Sequence, residues 1–267
     1  MQIDLQGQVA IVTGAAHGIG RAICTTLAEA GARIWAVDLL ADGLAETAAA
    51  VTALGGSCQT SATNLTDSQT VAAMVEQVQA AEGRVDILVN CAGGVAGQAG
   101  QPVEAITDEM WDIVVKTNLY STFYCIRSVT PIMKAQGGGR IVNISSGAGR
   151  TVSLTGIQAY ASAKAGQLGL TRQMAHELGQ YQITVNAIAP GFVRSNPSTE
   201  RQWEAMGEER QRQLVEGIAL RRLGAAEDIA NGVLFFVSKL SGWVSGQTIS
   251  IDGGRHMMLG GWAEIET

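Results

Sequence analysis

The sequence predicts an α/β fold: a doubly wound, mostly parallel sheet of seven strands with helices on both faces. Two observations favour this fold class. Short β-branched runs alternate along the chain with longer Ala- and Leu-rich segments, which is typical of parallel strands joined by helices. Most of the strand-like runs are also continuously apolar, as expected for strands that are buried on both faces.

The predicted strands cover residues 9–13, 33–37, 58–63, 87–90, 140–145, 184–189 and 248–252. Helices are predicted over residues 18–30, 41–54 and 67–82, between the first four strands. The chain contains four prolines, and no linker, charge block or repeat divides it. We therefore expect a single domain over residues 1–267.

The composition excludes several classes of partner. Apolar residues make up 46% of the chain and charged residues 16%, which predicts a large buried core. The net charge of −6 argues against nucleic acid, whose phosphates attract clustered Lys and Arg. No apolar run approaches the ~20 residues of a membrane span, and the first residues lack the features of a signal peptide. The scattered cysteines favour free thiols, no bound metal and a cytoplasmic location.

A glycine-rich loop follows the first predicted strand and precedes the first predicted helix. Glycines let the backbone approach a pyrophosphate, and the next helix presents unpaired N–H groups to it. With 33 glycines in the chain the loop alone is a weak signal, but its place between a strand and a helix strengthens it. It predicts a dinucleotide site of the Rossmann type, with contacts from Gly14, His17, Gly18, Ile19 and Gly20.

Asp38 closes the second strand, where a carboxylate can accept hydrogen bonds from both ribose hydroxyls of NAD. The same charge repels the 2′-phosphate of NADP. Leu39 and Leu40 follow instead of an arginine, so nothing compensates that phosphate. We therefore predict NAD as the cofactor, while Asp38 could also serve as the N-cap of the helix that follows.

Polar residues and glycines interrupt the apolar runs at one end of the predicted strands. Ligands of open α/β sheets bind outside the carboxyl ends of the strands. The polar residues and glycines lie at the carboxyl ends of the predicted strands and therefore predict a ligand site there. They are Gly14, Asp38, Asn64, Asn90, Ser145, Ser146, Pro190 and Gly191.

Tyr160 and Lys164 are four residues apart, so on a helix they share one face. Tyrosine is a poor base at a pKa of about 10, and a nearby cation favours its phenolate. Lowering that pKa by ~3 units requires about 4 kcal/mol, which Lys164 and the positive charge of a bound nicotinamide could supply together. Such a pair is usually an ordinary surface pair, and the surrounding strand ends make this one a candidate proton-transfer site.

The order and spacing of these motifs resemble the short-chain dehydrogenase/reductase family over essentially the whole chain. The matching positions are Thr13, Gly14, Gly18, Gly20, residues 90–93, Asn118, residues 143–146, Tyr160, Lys164, Pro190, Gly191 and residues 252–254. The resemblance implies an enzyme that transfers a hydride between NAD and a small-molecule alcohol or ketone. It also implies a homotetramer, because tetramers are common in this family.

By this resemblance Tyr160 is the catalytic acid and base, and Ser146 hydrogen-bonds the reacting oxygen. Lys164 lowers the Tyr160 pKa and holds the ribose, while Asn118 positions a water that relays protons to solvent. Further cofactor contacts are implied for Leu39 beside Asp38, Asn64 and Leu65 at the adenine, Asn90, Ala92 and Gly93 along the middle, Val193 and Ser195 at the carboxamide, and Pro190 and Gly191.

One departure from the family concerns the active serine, which usually stands thirteen residues before the tyrosine. Gly147 occupies that place here. Ser146 is the better match because it ends the run of residues 143–146, and Ser145 should point to the opposite side of the strand.

Three functions remain open. The first is an NAD-dependent dehydrogenase of secondary alcohols. The second is a 3-oxoacyl carrier-protein reductase, which Asp38 disfavours because that role normally uses NADPH. The third is a non-catalytic nucleotide sensor, which would have no use for the serine, tyrosine and lysine. The substrate itself stays open between a cyclic or aliphatic alcohol, a polyol, and a hydroxy acid bound by Arg150 or Arg194.

Two further segments carry hypotheses. Residues 194–218 are either a solvated surface helix or a substrate lid. For the oligomer, we expect contacts with a neighbouring subunit from the Met- and Trp-rich tail, residues 255–262, and from apolar positions in residues 155–179, namely Leu168, Leu170, Met174 and Leu178.

Overall fold

The computed structural model describes residues 3–153 and 155–255. Its strands are β1 (Val9–Thr13), β2 (Arg33–Asp38), β3 (Cys58–Ala62), β4 (Ile87–Asn90), β5 (Gly139–Ile144), β6 (Ile183–Pro190) and β7 (Thr248–Ile251). They form a seven-stranded sheet in the order β3-β2-β1-β4-β5-β6-β7, and every neighbouring pair is parallel. The predicted fold class is confirmed, and the sheet is wholly parallel.

Helices cover both faces of the sheet. They are α1 (Gly18–Glu29), α2 (Ala41–Ala53), α3 (Ser68–Glu82), α4 (Asp108–Val115), α5 (Ser121–Ala135), α6 (Gln158–Leu178), α7 (Pro197–Glu216) and α8 (Ala226–Val237). A π-helical turn, Lys116–Tyr120, joins α4 to α5 without a break.

The two faces of the sheet bury separate cores. Ala10 and Val12 of β1 belong to the core beneath α1 and α8, whereas Val9 and Ile11 belong to the core beneath α3 and α5. All four side chains are fully buried. Neighbouring residues of a strand point to opposite faces, so a strand covered on both sides must be apolar throughout. This is the physical basis of the continuous apolar runs.

Observed and predicted boundaries differ by at most one residue. Asp38 belongs to β2 because it pairs with Ala62. Asp67 lies outside α3 and caps it, accepting a hydrogen bond from the Gln69 amide at 2.8 Å. Ser145 follows β5, although its amide still donates to the Ile188 carbonyl at 2.7 Å.

Part of the hypothesis on subunit contacts is wrong. Leu168 and Leu178 are 8% and 1% exposed, so they pack inside their own subunit and cannot contact another. Leu170 and Met174 are partly buried against the same core. The tail is described only as far as Arg255, and the rest of residues 255–262 lies outside the described residues.

Residues 194–218 contain α7, whose chain is kinked at Gly207, where φ is 72°. Asn196 caps the helix by accepting hydrogen bonds from the Ser198 and Thr199 amides. No residue of α7 is buried, but the Trp203 ring lies 6.1 Å from the Phe192 ring. The segment is therefore a largely solvated helix with an aromatic anchor, and its action as a lid stays a prediction.

The position of β1 between β2 and β4 determines where a ligand can bind. The chain crosses there from one half of the sheet to the other, which leaves a crevice outside the carboxyl ends of the strands. Within residues 3–153 and 155–255, no helix combines the length and apolar character needed to cross a membrane.

Candidate active site

The glycine-rich loop lies at the carboxyl end of β1, inside this crevice. Gly14 has φ of +67°, and a Cβ at this position would lie 2.8 Å from the Ala92 Cα. Only glycine allows that turn and that close approach. At the start of α1, the N-cap residue His17 forms no side-chain hydrogen bond with the helix. The first-turn amides, which include Ile19 and Gly20, thus keep the anion-binding character of an uncapped helix start.

Thr13 is a residue of this loop to which sequence analysis gave no role. Its Oγ1 accepts hydrogen bonds from the Cys91 amide at 3.0 Å and the Ala92 amide at 3.1 Å. The hydroxyl therefore ties the phosphate loop to the chain after β4. A threonine between an apolar strand and a glycine-rich turn was the available signal.

Asp38 sits at the carboxyl end of β2, next to the phosphate loop. Its Oδ2 accepts from the Ala16 amide at 3.1 Å, and its Oδ1 accepts from the Leu39 and Leu40 amides at 2.7 and 3.2 Å. The N-cap of α2 is Leu40, so the alternative role of Asp38 as that cap is wrong. Leu39 and Leu40 are 65% and 55% exposed beside the carboxylate.

The turn after β3 adjoins Asp38, because the Thr63 amide donates to the Asp38 carbonyl at 2.9 Å. Asn64 is exposed there and its Oδ1 accepts from Thr66, whereas Leu65 is buried. Both residues are at the edge where the resemblance expects the adenine.

The chain after β6 returns to the same crevice. The Gly191 amide donates to the Ile251 carbonyl at 2.9 Å, directly after Pro190. Val193 forms an isolated parallel bridge with Gly224. The Ser195 carbonyl then packs against the Cα of Gly18, where any side chain would collide with it. These contacts bring the predicted carboxamide and pyrophosphate regions together.

Among the residues predicted to line the middle of the cofactor, Asn90 behaves differently from Ala92 and Gly93. Its side chain is 2% exposed, and its Nδ2 donates to Asn143 Oδ1 at 2.9 Å inside the core. The Asn90 side chain therefore cannot line the cofactor. Ala92 is half-buried and Gly93 is exposed, so both remain candidates.

The adjacent serines point in opposite directions, as the alternation along a strand predicts. Ser145 is 3% exposed and its Oγ donates to the Lys164 carbonyl at 2.9 Å, within the backbone of α6. Ser146 instead lies within hydrogen-bonding reach of Tyr160, where it lowers the pKa of the phenol, and its Oγ accepts from the Ala148 amide at 3.1 Å. Only Ser146 shares a site with the tyrosine.

Tyr160 and Lys164 face the crevice from the first turns of α6. Lys164 is 3% exposed; its Nζ lies 5.6 Å from the centre of the Tyr160 ring and donates to the Ile144 carbonyl at 2.8 Å. Burial lowers the Lys164 pKa to about 8, and burial raises the pKa of the neighbouring Cys91 thiol to about 12. The thiol is therefore neutral at physiological pH.

The Tyr160 pKa differs from the expectation. Burial raises it above its ordinary value, and the hydrogen bond with Ser146 opposes that rise only in part. The predicted lowering by Lys164 is thus absent from the protein alone. The charge of a bound nicotinamide is the remaining contribution that could lower this pKa.

Asn118 belongs to the π-helical turn and is fully buried. Its Nδ2 donates to the Gly94 carbonyl at 2.8 Å, and its Oδ1 accepts from the Gly94 amide at 3.0 Å. The side chain is thereby occupied in holding the loop after β4. That loop carries Gly93, where a Cβ would lie 3.1 Å from Lys164 Nζ.

The arginines suggested for binding a hydroxy acid have other partners. Arg150 donates to Ser250 Oγ at 2.7 Å. Arg194 forms two hydrogen bonds to Glu200 Oε2, at 3.0 and 2.6 Å, and stacks 5.3 Å from the Trp203 ring. These contacts use only some of the donors of each guanidinium, so the binding of a substrate carboxylate by Arg150 or Arg194 stays a prediction.

Three glutamines join the loop after β4 to the start of α6, and the sequence did not predict this pairing. Gln98 Nε2 donates to the Gly156 carbonyl and to Gln158 Oε1, both at 3.0 Å, and Gln158 Nε2 donates to the Gln101 carbonyl at 2.9 Å. These bonds position the loop next to Tyr160. Isolated glutamines in a loop carry no sequence signal of this pairing.

Known proteins resemble this chain over nearly its full length. A family model described as enoyl-(acyl carrier protein) reductase matches residues 14–256. The short-chain reductase protein NovJ of Streptomyces niveus is 38% identical over 253 residues, which cover 94% of this chain and 94% of that protein. The chain belongs to the short-chain dehydrogenase/reductase family.

Other members of the family extend the comparison. The 3-oxoacyl-(acyl-carrier-protein) reductase FabG of Escherichia coli (strain K12) is 34% identical over 257 residues, covering 96% of this chain and all of that protein. A 7α-hydroxysteroid dehydrogenase, solved with NADH and 7-oxo glycochenodeoxycholic acid, superposes with a TM-score of 0.88 at 34% identity, covering 95% and 96% of the two chains. This short-chain dehydrogenase/reductase is an oxidoreductase that acts on alcohol and ketone groups.

Proposed function

We propose that this short-chain dehydrogenase/reductase uses NAD(H) to interconvert a secondary alcohol and a ketone, with Tyr160 as acid and base. The observation that carries the proposal is the cluster at the carboxyl edge: Ser146 next to Tyr160, and Lys164 with its Nζ 5.6 Å from the centre of the same ring. A nucleotide sensor has no need of this arrangement, which supports an enzyme over the non-catalytic alternative.

The residues fit a nicotinamide dinucleotide. The phosphate loop leads into a helix whose first amides have no side-chain cap. Because Gly14 has no side chain, the backbone of Ala92 can approach the loop closely. Asp38 would accept the ribose hydroxyls at the adenine end, and Lys164 would hold the other ribose. When bound, the cofactor supplies or accepts the hydride.

Side chains of the protein would bind the substrate oxygen and transfer its proton. In the oxidation direction, Tyr160 takes the proton of the substrate hydroxyl, and Ser146 donates a hydrogen bond to the same oxygen as its negative charge grows. Because Lys164 does not lower the Tyr160 pKa in the protein alone, the positive charge of the bound nicotinamide would be needed to stabilise the phenolate. We assign Asn118 to holding the loop that borders Lys164, from which a water could relay the proton to solvent.

Support for NAD over NADP comes from the surroundings of Asp38. A 2′-phosphate would meet this carboxylate and the exposed apolar side chains of Leu39 and Leu40. Arg21, on the helix after the phosphate loop, donates to the Thr47 hydroxyl at 3.0 Å and to the Glu46 carboxylate at 2.7 Å. Arg33, at the other end of β2, donates to Glu82 at 2.7 Å. No compensating cation is evident in this part of the described chain.

A 3-oxoacyl carrier-protein reductase is the second candidate, favoured by the similarity to FabG. One experiment separates the two. Secondary alcohols with NAD or NADP, and ketones and a 3-oxoacyl thioester with NADH or NADPH, are followed by nicotinamide absorbance. We expect turnover of neutral alcohols and ketones with the non-phosphorylated cofactor. Preference for the thioester with NADPH would favour the second candidate, and no turnover with any pair would refute both.

We also propose a homotetramer that works in the cytoplasm. An apolar groove of about 360 Å³ lies on the outer surface between α5 and α6, and its walls include Tyr120 and Phe123, which are 45% and 40% exposed. A second exposed apolar site is Trp243 near the edge strand β7. Light scattering at assay concentration tests the proposal, and a strictly monomeric species would refute it.

A further inference from the structure

Gln167 is a fully buried polar residue that the proposed mechanism does not use. It lies on α6, three residues after Lys164, so both side chains are on the inner side of the helix. Its Nε2 donates to the Asn118 carbonyl at 3.0 Å and to Thr122 Oγ1 at 2.6 Å. A carbonyl can only accept, so the amide nitrogen must face Asn118.

The orientation of this amide has a cost. Gln167 Oε1 is buried and finds no hydrogen-bond partner among the described residues. An apolar side chain of similar size would avoid burying an unpaired acceptor. The glutamine therefore gains nothing from burial itself, and its two donated hydrogen bonds are what distinguish it from methionine or leucine.

The hydrogen bonds from Gln167 end at the Asn118 carbonyl, in the π-helical turn, and at Thr122, two residues after it. The Asn118 carbonyl also accepts from Thr122 Oγ1 at 2.8 Å, so side chains from two helices satisfy it. Turns of this type interrupt the regular hydrogen bonding of a helix. Gln167 thus links the turn to the helix that carries Tyr160 and Lys164.

The Asn118 side chain transmits this link to the loop after β4. It holds both the amide and the carbonyl of Gly94. At Gly93, whose φ is +154°, a Cβ would collide with Asn118 Oδ1 and would lie 3.1 Å from Lys164 Nζ. A change in the turn would move this loop relative to the ammonium group, because Gly93 packs between Asn118 and Lys164 with no room even for a Cβ.

We propose that Gln167 is a positioning residue for the reaction: it fixes the π-helical turn, and through Asn118 it fixes the loop against Lys164. The expected fall in kcat rests on the proposed dehydrogenase function. The structural consequence, a fixed turn and loop, holds for the protein in the absence of any substrate.

The test compares Gln167→Met, which keeps length and volume but removes the donor, with Thr171→Val. Thr171 is a matched control because it is equally buried on the same side of α6; its hydroxyl accepts from Asn143 Nδ2 and donates to the Gln167 backbone carbonyl, and neither bond involves the Gln167 side chain or Asn118. We expect Gln167→Met to retain its KM values and melting temperature while kcat falls about tenfold to a hundredfold, the scale of a small misplacement of catalytic groups. Thr171→Val should show the opposite pattern, with stability lost and kcat retained.

Amide hydrogen exchange separates this inference from the proposed function. In Gln167→Met, but not in Thr171→Val, residues 93–98 and 114–122 should exchange faster than in the wild type. Unchanged exchange in these segments would overturn the inference even if no substrate were turned over. Faster exchange with unchanged kcat would overturn the positioning role. If the methionine variant fails to fold, Gln167→Leu is measured in the same way, since it also removes the donor without burying a charge.

Discussion

Replacing Lys164 by methionine should stabilise the protein without cofactor while abolishing its turnover. Burial lowers the Lys164 pKa from 10.5 to about 8, which corresponds to about 3 kcal/mol of penalty on the charged form. The variant also loses the hydrogen bond from Nζ to the Ile144 carbonyl, a loss of about 1 kcal/mol. The expected net gain in the free energy of unfolding at pH 7 is therefore about 2 kcal/mol.

The gain should depend on pH with a definite sign. Because the folded-state pKa lies below the unfolded one, the unfolded chain binds more protons between pH 8 and 10.5, and wild-type stability recovers as the pH rises through this window. The advantage of Lys164→Met should therefore shrink toward pH 10. Urea unfolding at several pH values measures it, with the exposed Lys239→Met as control. A pH-independent difference, or a destabilised variant at pH 7, would refute the reasoning.

The other predictions concern the serines, the tyrosine and the cofactor. Ser146→Ala should lower kcat roughly a hundredfold, about 3 kcal/mol, because the growing charge on the oxygen loses a donor. Ser145→Ala should instead lose about 1 kcal/mol of stability with the hydrogen bond to α6, and the reverse ranking of the two in kcat and melting temperature would contradict the assigned orientations. Tyr160→Phe should abolish turnover but still bind NADH, measured by the change in NADH fluorescence on binding. Substantial residual activity would place the proton donor elsewhere. Asp38→Ala combined with Leu39→Arg should shift kcat/KM toward NADP, whereas equal use of both cofactors by the wild type would refute the role of Asp38.

Local patterns were enough to predict the sheet and its ligand-binding edge. The strands buried on both faces need apolar residues at every position, so Val9–Thr13 and Ile87–Asn90 were predicted with their exact limits. In a parallel sheet all carboxyl ends meet at one edge, so the residues that end these runs could be brought together without coordinates. The four-residue spacing of Tyr160 and Lys164 also predicted that they lie together, because a helix places residues at this spacing on one side.

Side-chain direction and pairing across the fold were decided only by the tertiary structure. Asn90 ends a strand as the predicted site residues do, yet its side chain turns into the core toward Asn143. Gln167 meets Asn118 from a separate helix, 49 residues away in sequence. The reason is physical: strand and helix periods depend on neighbours in the chain, whereas a buried amide takes whatever partner packing brings within reach, and that partner has no fixed spacing in the sequence.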